Sequence, residues 1–126
     1  AVKRRLIGEI VKRFEAKNLT IRAMKLIRMS GELADKHYAE HVQKSFYGEL
    51  KAFMTGSGLV ALAVEGPDAV NLVRKMMGAT KPADSAPGTI RGDYALVVTE
   101  NLVHGSDSPE SAARELALWF KKEEYV

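Results

Sequence analysis

The chain has 126 residues, no cysteine and a formal net charge of +3. That length makes one domain around one core, and the lack of cysteine excludes a disulfide framework, a thiolate zinc site and a thiol nucleophile. With 46% apolar and 28% charged residues and no long apolar run, the chain is neither a disordered tail nor a membrane-spanning protein. No signal-peptide pattern opens it, so a cytoplasmic protein is expected. Residues 1–30 carry nine Lys/Arg against two Glu, a balance of +7, while residues 31–126 carry ten against fourteen, a balance of −4. Such a basic end suits either a polyanionic partner or the wet faces of ordinary elements.

Leu6, Ile7, Ile10, Val11 and Phe14 recur at helical spacing, and Asn18 offers a stop. Leu19 to Met29 alternates partly and is rich in branched residues, which predicts a strand wet on one side. Ser30 caps a short helix through Leu33 to His37. Phe46, Leu50, Phe53 and Met54 predict another helix, ending near Gly56. Gly58 to Val64 is apolar throughout and reads as a strand buried on both faces. Pro67 is expected at the first position of a helix that turns Val70, Val73 and Met77 inward and closes at Gly78. Residues 78–93 form a long Gly/Pro-rich loop, Tyr94 to Thr99 a third strand, and Ser108-Pro109 the start of a last helix with Leu116, Trp119 and Phe120 inward. The order predicts a mixed α/β layer architecture over one domain, 1–126.

His37 and His41 stand four apart, a spacing that on a helix turns both rings to one side and suits zinc; with no third ligand at motif spacing, surface or contact roles are the better reading. His104 follows a predicted strand end and precedes a capped helix, where a side chain faces the mouth of a sheet. Glu115, about two turns into that helix, is placed to accept a ring N–H, which would fix the tautomer and leave the other nitrogen a lone pair. Imidazole, with an ordinary pKa of about 6.5, is a ready nucleophile near neutrality, and phosphoryl is its natural partner. Phosphoryl transfer needs positioned cations and hydroxyls; Arg74, Arg91, Thr80 and Tyr38 are candidates. No P-loop is present. Asp84, Asp93 and Asp107 can reach a magnesium ion, though carboxylates in such loops usually make turns.

The run Asn101-Leu-Val-His104-Gly-Ser-Asp-Ser108, preceded by Gly88-Thr-Ile-Arg91-Gly-Asp-Tyr94 and Gly78-Ala-Thr80-Lys-Pro82-Ala-Asp-Ser85, closely resembles the nucleoside diphosphate kinase family. Matches continue through Gly8-Glu-Ile-Val-Lys-Arg-Phe14, His37-Tyr38, Phe53-Met54-Thr55 and Glu110-Ser-Ala-Ala-Arg-Glu115. The resemblance implies a ferredoxin-like βαββαβ fold, an antiparallel sheet with helices packed on it. It also implies ping-pong transfer of the terminal phosphate of a nucleoside triphosphate to a nucleoside diphosphate through a phosphohistidine. His104 matches that histidine. Ser106 and Glu115 would orient its ring, while Arg74, Thr80, Arg91 and Tyr38 would hold phosphates. Phe46 and Val98 would sandwich the base with Leu50 beside it, and Asn101 would bind the sugar. Magnesium is expected on the nucleotide phosphates, with no protein metal ligands, and a homo-oligomer is expected, a hexamer in preference to a tetramer. A non-catalytic nucleotide- or nucleic-acid-binding module of the same fold is the competing reading, motivated by the basic opening segment.

This sequence departs from the family in three places. Ala1-Val2 match the residues just after the family's first strand, so that strand and its catalytic lysine have no counterpart, and a longer parent chain is expected because the neighbouring edges would be left unpaired. Lys44-Ser-Phe-Tyr47 stands where Arg-Pro-Phe-Phe is usual, and Gly56-Ser57-Gly58 where Ser-Gly-Pro is common, which loosens the backbone near the base. The chain ends at Val126, where many relatives carry a further tail.

Overall fold

The computed structural model describes residues 1–56, 58–100 and 102–126. Helix α1 (Ile7–Ala16) buries Ile10 and Phe14, and the chain leaves it through Asn18 at φ 66°, a left-handed stop that asparagine tolerates better than most residues. Strand β1 (Thr20–Arg28) follows. Helix α2 (Gly31–His37) starts where the Ser30 hydroxyl accepts from Leu33 N, and α3 (Tyr47–Thr55) leads to β2 (Gly58–Glu65). Helix α4 (Ala69–Met77) closes at Gly78, α5 (Ile90–Tyr94) is a short turn of helix, and α6 (Pro109–Trp119) begins at a Ser108 cap.

Strands β1 and β2 pair antiparallel from Thr20↔Glu65 to Arg28↔Gly58, with an irregularity between Ile21 and Ala23. Three apolar clusters form the core. Ile10, Phe14, Leu19, Met77 and Ile90 join α1, α4 and α5; Met29, Ala34, Tyr38 and Tyr47 join α2 and α3; Ala23, Ala63 and Phe120 seat the end of α6 on the sheet.

The expected third strand at Tyr94–Thr99 does not form. Tyr94 ends α5, and Val98–Glu100 make a 3-10 turn. The local reason is a cap: the Thr89 hydroxyl accepts from Gly92 N at 3.0 Å, which winds residues 90–94 into helix. Gly92 is required there, since a Cβ would sit 2.0 Å from the Ala86 carbonyl oxygen. The apolar run beyond, with Leu96 92% exposed, has no neighbouring strand among the described residues, and a β-branched run becomes a strand only by pairing. Leu102 to His104 likewise joins no ladder among the described residues. The sheet of the described residues therefore has two strands. Beside β2 lies a cavity of about 320 Å³, walled by residues such as Leu62, Val73, Leu102 and Phe120 and reaching His104 and Glu115; facing it, β2 is only half-buried, against the expectation of burial on both faces. Pro67 is also displaced from its expected place, because Asp68 at φ 51° turns the chain before α4 begins at Ala69.

Candidate active site

Helix α6 sets the site. Ser108 Oγ accepts from Ser111 N at 3.1 Å and Pro109 opens the first turn, so Glu115 projects two turns further along toward the segment 103–106. Its Oε1 accepts from His104 Nε2 at 3.3 Å, and its Oε2 accepts from the Ser106 hydroxyl. Burial pushes the Glu115 carboxyl up, but the hydrogen bonds from His104 and Ser106 and the nearby His104 and His37 charges outweigh it and bring it down to about 2. An ionised carboxylate only accepts. His104 Nε2 therefore carries the proton, and Nδ1 keeps its lone pair. The ring is 46% exposed, open to a ligand.

Two arginines hold the backbone on either side of that histidine. Arg91 donates to Val103 O at 2.7 Å and to Gly78 O at 3.1 Å, and Arg74 donates to Gly105 O at 2.9 Å. Arg91 is buried, and burial first and the Arg74 charge second draw its pKa below the usual guanidinium range; it is still a cation at any ordinary pH. Gly105 lies so close to α4 that a Cβ would meet Met77 Sδ at 2.7 Å. Tyr38, buried just after α2, places its ring 6.0 Å from that of His104. Burial, and then the Glu115 charge, push its hydroxyl up to about 12, so it stays a donor.

His104, Glu115, Ser106, Tyr38, Arg74 and Arg91 are thus brought together. Thr80 lies exposed in the loop after α4. Phe46 is 50% exposed before α3 and Val98 48% exposed in its 3-10 turn, while Leu50 packs beside Tyr38 and Tyr47. A row of ring contacts, Phe46 to His41 at 5.8 Å, His41 to Tyr38 at 6.4 Å and Tyr38 to His104 at 6.0 Å, separates the exposed Phe46 face from the nucleophile. Asn101 lies outside the described residues. Asp93 serves structure: it accepts from Arg13 at 2.7 Å and from Gly88 N at 2.8 Å. Asp84 is exposed at the end of a 3-10 turn, and the Ser111 side chain of α6, first among its neighbours, holds the Asp107 carboxyl below its usual range.

Two members of the cluster were not assigned to it from sequence. Helix α2 ends at His37, so His37 and His41 share no helical face and the zinc pair does not form. His37 instead packs 4.8 Å from His104, ring to ring, and accepts from Trp119 Nε1 at 2.9 Å. Trp119 reads as core from its spacing; the signal that pointed further was its indole N–H, which needs an acceptor when buried.

A sequence profile described as "Nucleoside diphosphate kinase" matches residues 1–125. The nucleoside diphosphate kinase of Rubrobacter xylanophilus is 61% identical over 119 residues, 94% of this chain and 90% of that protein. That of Methanocaldococcus jannaschii is 52% identical over 98% of this chain and 89% of its own. Among solved structures, a halophilic nucleoside diphosphate kinase from Halobacterium salinarum in complex with CDP superposes with a TM-score of 0.97 at 47% identity, covering 99% of this chain and 84% of that one. The fold carries this agreement over nearly the whole chain, the small antiparallel sheet with its helices included. With its profile matched over residues 1–125 and these relatives more than 50% identical over nearly their whole length, the chain belongs to the nucleoside diphosphate kinase family.

Proposed function

We propose that the chain transfers the terminal phosphoryl group of a nucleoside triphosphate to a nucleoside diphosphate through a phosphohistidine on His104 Nδ1. The observation that carries this reading is the contact of Glu115 Oε1 with His104 Nε2, because it decides which nitrogen is free. In the first half-reaction the Nδ1 lone pair forms a bond to the γ-phosphorus. The bond from phosphorus to the β,γ-bridging oxygen breaks, and the nucleoside diphosphate leaves with that electron pair. The ring keeps its Nε2 proton and gains positive charge, which the Glu115 carboxylate offsets. In the second half-reaction a β-phosphate oxygen of another nucleoside diphosphate attacks, the N–P bond breaks, and its electron pair returns to Nδ1. Arg74, Arg91, Thr80 and the Tyr38 hydroxyl are the groups we assign to the phosphates, Phe46, Val98 and Leu50 to the base, and Asn101 to the sugar. Stacking on an apolar face discriminates poorly among bases, which supports broad nucleotide use.

The donor set fits a magnesium ion that arrives on the nucleotide. Near His104, Glu115 is engaged by two donors, so phosphate oxygens would hold the cation. When bound it offsets phosphate charge. We also read residues 1–126 as a single domain of a cytoplasmic homo-oligomer, with a hexamer preferred by analogy; exposed Met24 (56%) and Leu26 (64%) on β1 support association. No helix is long and apolar enough to cross a membrane among the described residues. The nucleic-acid alternative is not favoured, since neither Thr20–Arg28 nor Gly58–Glu65 carries an aromatic residue on which bases stack.

Incubation with radiolabelled ATP should give an acid-labile, base-stable phosphoprotein, and coupled turnover with a second nucleoside diphosphate should yield its triphosphate. Label that persists in His104→Ala would overturn the assignment.

A further inference from the structure

The indole N–H of Trp119 reaches His37 Nδ1 at 2.9 Å. A ring nitrogen that accepts a hydrogen bond carries no proton, so neutral His37 holds its proton on Nε2. That atom lies 3.9 Å from Glu115 Oε1, the same oxygen that takes the His104 proton. The His37 ring stands edge-on to the rings of Tyr38 at 4.6 Å, His104 at 4.8 Å and Trp119 at 5.4 Å, so it has no room to turn over without disturbing the nucleophile. Its backbone is held by the same helix: Arg114 of α6 donates to Lys36 O and His37 O at 3.1 and 3.2 Å.

We propose that His37, with its tautomer set by Trp119, is a positioning residue for phosphoryl transfer: its Nε2–H faces Glu115 Oε1 and its ring edge braces His104, so that Glu115 and His104 stay aligned. The proposal rests on the His104 reading given above and adds to it a pair of residues that touch no reacting atom. The charged and titratable groups facing His37 are Tyr38 from the residue just after α2, His104 from the segment before α6, and Glu115 and Arg114 from α6. Burial first, and the His104 charge second, push the His37 pKa down to about 4, in keeping with a hydrogen bond made to the neutral ring. Without the indole donor the other tautomer becomes available. A lone pair on Nε2 would then face the carboxylate, and Glu115 would turn from His104.

The test compares wild type, Trp119→Phe, His37→Phe and His37→Gln. Glutamine keeps an acceptor for Trp119 and an N–H for Glu115; phenylalanine keeps neither. Losing an outer partner of this kind should lower kcat about tenfold or more in Trp119→Phe and His37→Phe. Nucleotide KM should stay within about twofold, and His37→Gln should recover kcat to within about threefold of wild type. In the wild-type protein, nitrogen NMR of labelled histidine should find neutral His37 with its proton on Nε2, a measurement that needs no variant to fold. The proposal is overturned if His37 carries its proton on Nδ1, if His37→Gln is as slow as His37→Phe, or if KM rises in step with the loss of kcat. Radiolabel on wild-type His104 separates the two readings. Its absence defeats the phosphohistidine itself, whereas its presence with a kcat indifferent to His37 defeats only the positioning role.

Discussion

Glu115 does two things with one carboxylate: Oε1 names the tautomer of His104 and Oε2 ties Ser106 beside it. Replacing it with glutamine removes the charge that offsets the phosphorylated ring and leaves Arg74 and Arg91 untouched. Glu115→Gln should therefore lower kcat by about 10- to 100-fold with little change in nucleotide binding, measured by single-turnover phosphorylation alongside equilibrium binding. His104 and Glu115 are legible in the sequence because a histidine just before a capped helix and a carboxylate two turns past that cap are local features, although the strand expected to end at His104 does not form among the described residues. Ser106 is legible only through the family resemblance. Arg74 and Arg91 were legible as cations only. That their guanidiniums hold Gly105 O and Val103 O, one residue to either side of the nucleophile, depends on contacts between segments far apart in the chain. The Trp119–His37 bond is of the same kind, its donor and acceptor 82 positions apart in the chain.

Helix α6 carries Arg114, Glu115 and Trp119, so whatever starts that helix also aims the site. Ser108→Ala should cost about 1 kcal/mol of stability through the lost cap, read as a lower urea midpoint with the slope unchanged. The cost of Gly92→Ala should be larger, about 1–3 kcal/mol, because the obstacle at 2.0 Å is the backbone oxygen of Ala86 rather than a side-chain tip that can swing aside. Periodicity and caps were enough to place α1, β1, α2, α3, β2, α4 and α6. Tyr94–Thr99 was misread because its branched residues favour a strand only when another strand lies alongside, and sequence pattern carries no information on that neighbour. The Thr89 cap that decides the matter sits one residue before Ile90, and it is recognisable once helix and strand are weighed together.

Over the whole molecule, stability and chemistry share ionisable groups. His37 is held near 4 against an ordinary 6.5, and Glu115 near 2 against 4.5. In both cases the unfolded chain takes up protons first, so the stabilisation is complete above the unfolded value and is lost as pH falls toward the folded one. Wild type should lose stability between pH 6.5 and 4 through His37, by up to about 3 kcal/mol, and again between 4.5 and 2 through Glu115. His37→Gln should lack the upper loss and retain the lower, as urea midpoints across that range will report. Of the three clusters that seat these groups, the one joining α1, α4 and α5 is built from aliphatic side chains and Phe14. Truncating Ile90, which is 0% exposed, to alanine should cost about 2–5 kcal/mol by thermal or urea unfolding. Phosphoryl transfer here depends on which nitrogen of His104 is free, and phosphorus NMR of the phosphoenzyme made with nitrogen-labelled histidine reads that directly. Coupling of phosphorus to Nδ1, with Nε2 still protonated, is the predicted result; a phosphoryl group on Nε2, or on any residue other than His104, would contradict it.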